Sequence, residues 1–143
     1  MARIKIDLPG SFPFSTSFPV RITDLNYGSH VGNDTILSYI HEARVRFLHS
    51  LGYTELDMEG AGLIMSDVAI VFKKEIFYGD EIILSVAAMD LTRAGFDLVY
   101  KLEKNTSSAT TLLAIAKTGM VCYDYSLKKI TGLTDAAKER LSA

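Results

Sequence analysis

The sequence has little of several features that would indicate other classes of protein. Its single cysteine, Cys122, cannot form a disulfide within the chain, which is typical of a reducing compartment. No stretch approaches the roughly 20 apolar residues of a membrane helix, and the first residues lack the apolar core of a signal peptide. Fifteen Lys and Arg against 17 Asp and Glu leave no basic excess for nucleic acid. We therefore expect a cytoplasmic protein that binds neither nucleic acid nor membrane.

What the sequence does contain is enough apolar residues for one folded domain. It has 143 residues, of which 48% are hydrophobic and 22% charged, and a mean hydropathy of +0.19. Domains typically have about 100–200 residues. Because there is no internal repeat or low-complexity segment, we expect a single domain over residues 1–143.

The hydrophobic pattern predicts one long helix among strands. Apolar residues recur at helical spacing from Asp34 to Gly52, and a short helix is predicted over Thr134–Leu141. Apolar residues on one parity predict four strands, over Phe14–Asp24, Leu63–Lys74, Glu81–Leu91 and Phe96–Glu103. A fifth, Thr110–Asp124, is predicted from a run that is apolar on both parities. Short turns separate the last four strands, so we expect them to form an antiparallel meander. This order predicts an α+β fold in which a curved antiparallel sheet of about five strands wraps one long central helix.

The segment from Thr23 to Asp34 is the most unusual part of the sequence. It places two carboxylates, two amides, a histidine and two glycines between the first strand and the long helix. It is longer than the 2–6 residues of an ordinary connection and leads into a helix N-terminus, which favours negative charge. One interpretation is a structural loop of Asx-turns and caps, in which His30 is a hydrogen-bonded structural residue. The other is a catalytic or binding site.

A family resemblance favours the second interpretation. Val20–Asn33, continued by Tyr39, Glu42, Ala43 and Arg44, resembles the 4-hydroxybenzoyl-CoA thioesterase family of the hotdog fold. That family's pattern runs roughly Arg, Asp-x-Asp, Gly-His-Val-Asn-Asn and then Tyr-x-x-x-Glu-x-Ala-Arg along the helix. Phe77–Glu81 resembles the turn after the family's second strand. The resemblance implies a hotdog fold and hydrolysis of an acyl-coenzyme A thioester.

The resemblance also implies roles for residues in this segment. Asp24 and His30 match the family's first aspartate and its histidine, while Asn26 stands where the family has the aspartate that acts as nucleophile or general base. Asn33 matches the family's final asparagine, whose backbone N–H binds the thioester carbonyl oxygen. An amide cannot accept a proton from water at neutral pH, so the resemblance requires a base elsewhere.

Three carboxylates are candidates for that base. Asp24 lies two residues from Asn26, so an extended chain would direct both side chains to the same side. Glu42 is within reach of Arg46, and an ion pair with it is the more common role for such a residue. Asp67 interrupts an apolar strand, so it lies either at a strand end in water or in a site.

Other chemistry receives less support from the residue types. The histidines and Cys122 have no metal-ligand spacing, and Cys122 is predicted to be a small hydrophobe in a buried strand. The pair Lys73 and Lys74 suits the phosphates of coenzyme A, although a solvated strand edge would explain it equally well. We expect no metal and no separate cofactor, because coenzyme A is part of the substrate.

These observations predict an acyl-CoA thioesterase that associates with itself. The alternatives are a non-catalytic module that binds acyl-CoA or an acyl carrier, and a hydratase or dehydratase of the same fold. The last strand is apolar on both parities and needs cover on both faces. We expect a two-fold dimer with a continuous sheet and two active sites at its interface, and the sequence leaves pairing into tetramers open.

Overall fold

A computed structural model describes residues 2–143, which form one antiparallel sheet and two helices. In chain order the elements are β1 (Phe14–Pro19), α1 (Asn33–Ser50), β2 (Gly62–Phe72), β3 (Glu81–Met89), β4 (Gly95–Asn105), β5 (Thr110–Asp124), β6 (Lys129–Ile130) and α2 (Asp135–Ser142). The α+β class is as predicted. The sheet has six strands rather than about five, because β6 has only two residues and is too short to show an alternating pattern.

The order of the strands differs from the predicted meander. Within the sheet it is β1-β3-β4-β5-β2, with β6 beside β5. The last four predicted strands therefore do not form one meander, because β2 pairs with β5 and not with β3. The connection of residues 73–80 is much longer than a two-residue hairpin turn, and it carries the chain from one side of the β4–β5 pair to the other.

Helix α1 lies against one face of this sheet, called here the inner face. The helix buries its apolar stripe, including Ile40, Ala43 and Phe47, against residues such as Leu84 and Tyr100 of β3 and β4. It begins one residue before the predicted start, with Gly32 as its N-cap, and ends at Ser50. The pattern of spacing therefore selected the residues that form the core.

The first strand is shorter than predicted. β1 ends at Pro19, and residues Ile22–Asp24 form one turn of 3₁₀ helix instead of continuing the strand. The last hydrogen bond to the β3 side comes one residue later, from the Val20 N–H to the carbonyl oxygen of Asp80 at 3.0 Å. The turn brings the side chain of Asp24 inward, where it is buried.

Strand β2 contains a β-bulge at Ser66. Met65 pairs with Met120 and Asp67 with Gly119, so Ser66 is the extra residue between two regular stretches. The bulge places Asp67 beside Lys117 on the face of the sheet opposite α1, called here the outer face. Among residues 2–143, no helix is long and apolar enough to cross a membrane.

Candidate active site at the N-terminus of helix α1

The polar segment before α1 folds back on itself as a tight turn. The N–H of Asn26 donates to the carbonyl oxygen of His30 at 2.8 Å, and the N–H of Ser29 donates to that of Asn26 at 3.1 Å. Ser29 has a φ of 67°, and Leu25 forms an antiparallel bridge with Val31. The turn therefore holds Asn26 and His30 next to each other at its two ends.

The side chains of Asn26 and His30 converge beside Gly28. The Gly28 N–H donates to Asn26 Oδ1 at 2.8 Å. A Cβ atom at position 28 would lie 3.1 Å from Asn26 Oδ1, closer than most side chains pack, and 3.4 Å from His30 Nε2. Glycine at position 28 thus allows the amide oxygen of Asn26 and the imidazole of His30 to lie close together.

The hydrogen bond of His30 Nδ1 determines whether Nε2 donates or accepts. Nδ1 lies 3.1 Å from the carbonyl oxygen of Val31. A carbonyl oxygen only accepts hydrogen bonds, so in this contact Nδ1 carries the hydrogen. When the ring carries this one hydrogen, its Nε2 atom is an acceptor, and it lies beside Gly28.

The N-terminus of α1 supplies hydrogen-bond donors. Gly32 caps the helix without a side-chain hydrogen bond, and the carboxylate of Asp34 lies so close to Gly32 that an added Cβ would approach it to 2.6 Å. Backbone N–H groups in the first turn, including that of Asn33, have no carbonyl partner within the helix. Together with the helix dipole they favour negative charge on a bound oxygen atom.

A cavity of about 190 Å³ lies next to this helix end. Its polar lining combines His30 and Asn33 with three consecutive residues of the β2–β3 connection, Lys73, Lys74 and Glu75. Its remaining lining is apolar and comes from Val31, Ile36, Phe72 and Ile76. The Val31 N–H donates to the carbonyl oxygen of Ile76 at 2.8 Å, which joins the two segments. The structure therefore brings the predicted residues His30, Asn33, Lys73 and Lys74 to one place.

Glu75 is a lining residue that the sequence did not single out. It follows two lysines in an exposed run of charge, which by itself indicates a solvated connection. Its place in the cavity depends on the bond between Val31 and Ile76, which are distant in sequence. No local pattern could have identified it.

Asp24 is buried next to α1, and its carboxylate is held by several hydrogen bonds. Its carboxylate, 5% exposed, accepts hydrogen bonds from Tyr39 Oη at 2.7 Å, from the Arg21 N–H at 2.9 Å and from Arg21 Nη2 at 3.2 Å. Burial acts to raise the pKa of Asp24, but the hydrogen bonds from Arg21 and Tyr39 outweigh it and the pKa is lowered. The side chain therefore stays ionised and ties the loop to α1.

Glu42 lies on another side of α1. It accepts a hydrogen bond from Arg46 Nε at 2.9 Å, which is the ion pair that the spacing predicts. It also lines a separate cavity of about 340 Å³, between β1 and α1, together with Phe18 and Tyr39. It does not line the cavity at His30.

Asp67 lies on the outer face of the sheet, so the sheet separates it from α1. Its carboxylate bonds to Lys117 Nζ at 2.8 Å and accepts from the Gly119 N–H at 2.9 Å. The hydrogen bond from Lys117 is the main reason that the pKa of Asp67 is lowered, although partial burial opposes it. Asp67 is thus one of the water-facing residues at the bulge.

The family model of the thioesterase-like superfamily matches residues 20–141. The chain belongs to the thioesterase-like superfamily. The match covers most of the sequence and includes the turn, α1 and the β2–β3 connection. The resemblance noted in the sequence is therefore confirmed at the level of the family.

Solved structures of thioesterases share the fold of this superfamily member. A 1,4-dihydroxy-2-naphthoyl-CoA thioesterase from Synechocystis is 21% identical, with a TM-score of 0.79 over 90% of this chain and 94% of the other. A 4-hydroxybenzoyl-CoA thioesterase mutant in complex with 4-hydroxybenzoyl-CoA is 14% identical, with a TM-score of 0.80 over 90% and 98% of the two chains. A Thermus thermophilus thioesterase in complex with coenzyme A and zinc is 22% identical, with a TM-score of 0.77 over 93% and 100%. No curated protein matches the sequence. These likenesses show the hotdog fold.

The remaining candidates for chemistry in this thioesterase-like chain are its cysteine and any cluster of metal-binding side chains. Cys122 is fully buried in β5, as predicted, and burial raises the pKa of its thiol. Within the described part of the chain, no three His, Cys, Asp or Glu side chains are arranged to hold a metal ion.

Proposed function

We propose that this protein is an acyl-CoA thioesterase, which hydrolyses an acyl-coenzyme A thioester to the free acid and coenzyme A. The observation that carries the proposal is the cavity in which His30, the N-terminus of α1 and the pair Lys73 and Lys74 meet. Membership of the thioesterase-like superfamily supports the same reaction. Coenzyme A is part of the substrate, and the proposal includes no further cofactor and no metal.

Each part of the cavity matches one part of the substrate. The thioester carbonyl oxygen accepts a hydrogen bond from the Asn33 N–H, where the helix dipole stabilises the negative charge that develops during attack. The acyl group lies on the apolar lining, which includes Ile36 and Phe72. Lys73 and Lys74 bind coenzyme A phosphates. Neither makes an ion pair with another side chain of residues 2–143, so both ammonium groups are available to the substrate.

Asn26 and His30 orient the attacking water in this proposal. Asn26 Oδ1 and the acceptor nitrogen of His30 both lie beside Gly28, and both can accept a hydrogen bond from water. Asp24 acts behind them, since its bonds to Tyr39 and Arg21 hold the loop in position. A base role for Asp24, Glu42 or Asp67 remains a prediction, and the separate placement of Glu42 and Asp67 speaks against them.

The edge of the sheet supports self-association. β2 pairs only with β5 within residues 2–143, and three apolar residues on its inner-face parity are exposed, Met65 by 40%, Val68 by 40% and Phe72 by 46%. An open, apolar edge strand favours pairing with another strand. We propose a two-fold dimer in which the two β2 strands join the sheets and α1 is the central helix of each subunit. Phe72 also lines the cavity, so the site would lie at this interface.

One measurement tests the reaction. Acyl-CoA thioesters with short, long and aromatic acyl groups are incubated with the protein and a thiol-detecting reagent, and free coenzyme A is followed. Release with turnover supports the thioesterase, and binding without release supports the second candidate, a non-catalytic acyl-CoA-binding module. The amide at Asn26 is the observation that favours this second candidate.

The dimer has its own test. Light scattering at micromolar concentration should give twice the mass of one chain. Val68→Glu should give one chain mass, because a charge would be buried without a partner in the joined sheet. A wild-type protein that is monomeric under these conditions would contradict the dimer.

A further inference from the structure

The hydrolysis proposed above needs a group that accepts the proton of water, and the structure narrows the choice. Asn26 is an amide and cannot take this role. Asp24 is buried, and its oxygens already accept hydrogen bonds from Arg21 and Tyr39. Glu42 lines a separate cavity on another side of α1, and Asp67 lies on the outer face of the sheet.

Glu75 is the carboxylate that lines the same cavity as His30 and Asn33. The segment that carries it is held at the site by the 2.8 Å bond from the Val31 N–H to the carbonyl oxygen of Ile76. Ile76 is buried at 1% exposure, whereas Glu75 is exposed on the cavity side. The Glu75 carboxylate makes no ion pair with any other described side chain, so its oxygens are open to water.

Asp34 is the other carboxylate near the helix end, and its position is less suitable. Its Oδ1 lies against Gly32 in the first turn of α1. It is not among the residues that line the cavity at His30. A base must reach the proton that it removes, so the cavity favours Glu75.

We propose that Glu75 is the general base of this site, an inference that rests on the proposed thioesterase activity. The Glu75 carboxylate takes one proton from a water held by His30, which lines the same cavity, while the water oxygen forms a bond to the thioester carbon. The carbonyl oxygen becomes an oxyanion bound by the Asn33 N–H. When the oxyanion collapses, the carbon–sulfur bond breaks, and the coenzyme A thiolate takes the proton back from Glu75.

The experiment compares wild type with Glu75→Gln, Glu75→Asp and Glu81→Gln. Glu81 is an exposed glutamate at the start of β3 that does not line the cavity, so it is the matched control. Steady-state hydrolysis of the best substrate of the panel is measured at pH 7. We expect Glu75→Gln to lower kcat by about 10²–10⁴-fold, the range for loss of a general base, with KM changed less than about threefold. Glu75→Asp should keep part of the rate, and Glu81→Gln should match wild type.

Several outcomes would overturn the assignment. A Glu75→Gln variant with wild-type kcat and a lower KM would show that Glu75 acts only on the charge felt by coenzyme A. A loss in Asp34→Asn together with an active Glu75→Gln would assign the base to Asp34. A wild-type protein that releases no thiol from any substrate would refute the proposed thioesterase activity. The wild type is therefore assayed before any variant.

Discussion

Replacing Tyr39 with phenylalanine removes one hydroxyl group and leaves the ring that packs against Phe18 in place. The hydroxyl donates a 2.7 Å hydrogen bond to Asp24, which is buried and ionised. In Tyr39→Phe this carboxylate keeps only its bonds from Arg21. A hydrogen bond to a charged group contributes about 1.5–3 kcal/mol, and we expect the free energy of unfolding at pH 7 to fall by this amount.

The dependence of this loss on pH follows from the pKa of Asp24. The pKa is lowered in the folded protein, so the stabilisation by Asp24 is complete above its unfolded value of about 3.9 and is lost as the pH falls through the lower folded value. Below that folded value the carboxyl group is neutral, and a neutral hydrogen bond contributes only about 0.5–1.5 kcal/mol. The difference between wild type and Tyr39→Phe should therefore shrink in acid.

Urea unfolding at equal protein concentrations measures both effects, since a change in midpoint at constant slope reports stability. Tyr27→Phe is the control, because Tyr27 is fully exposed and its hydroxyl should contribute less than about 0.5 kcal/mol. The reasoning fails if Tyr39→Phe is no less stable than Tyr27→Phe at pH 7. It also fails if the loss is as large in acid as at pH 7.

Three further predictions concern the site. His30→Ala should lower kcat by about 10²–10³-fold without a matching loss of thermal stability, which kinetics and a melting curve together will show. Asn26→Ala should lower kcat by about 10²-fold or more with little change in KM, whereas Asn26→Asp should keep or raise the rate. Equal rates in wild type, Asn26→Ala and Asn26→Asp would show that the chemistry does not take place at this loop. Replacing Lys73 and Lys74 with alanine should raise KM for acyl-CoA but not for an acyl thioester of N-acetylcysteamine, which has no phosphate, and equal effects on both would contradict phosphate binding.

The fold was predictable where local periodicity decides the structure. β5 has the bounds that its apolar run predicts, and α1 differs from its prediction by two residues or fewer at each end. The prediction for β1 was wrong after Pro19, where a 3₁₀ turn replaces the alternating strand. The place of β2 was wrong because turn signals describe neighbours in sequence, while the pairing of β2 with β5 depends on distant segments.

The candidate site was likewise predictable only where consecutive residues form it. His30 and Asn33 could be named from a motif of consecutive residues, and the structure places them in one cavity. Glu75 could not, because it reaches that cavity through the contact of Ile76 with Val31. Asp67 shows the opposite case, since the bulge at Ser66 directs a carboxylate in an apolar strand towards water and Lys117.

The bulge also determines which change of length β2 tolerates. Removing Ser66 would join two stretches that are already in regular register, so Met65 would still face Met120 and Asp67 would still face Gly119. The cost would be one hydrogen bond, from the Ser66 hydroxyl to the Gly119 carbonyl oxygen at 3.1 Å. A deletion elsewhere within the strand would move its flanking residues to opposite faces of the sheet. When related sequences are aligned with this one, a single-residue gap in β2 belongs at Ser66.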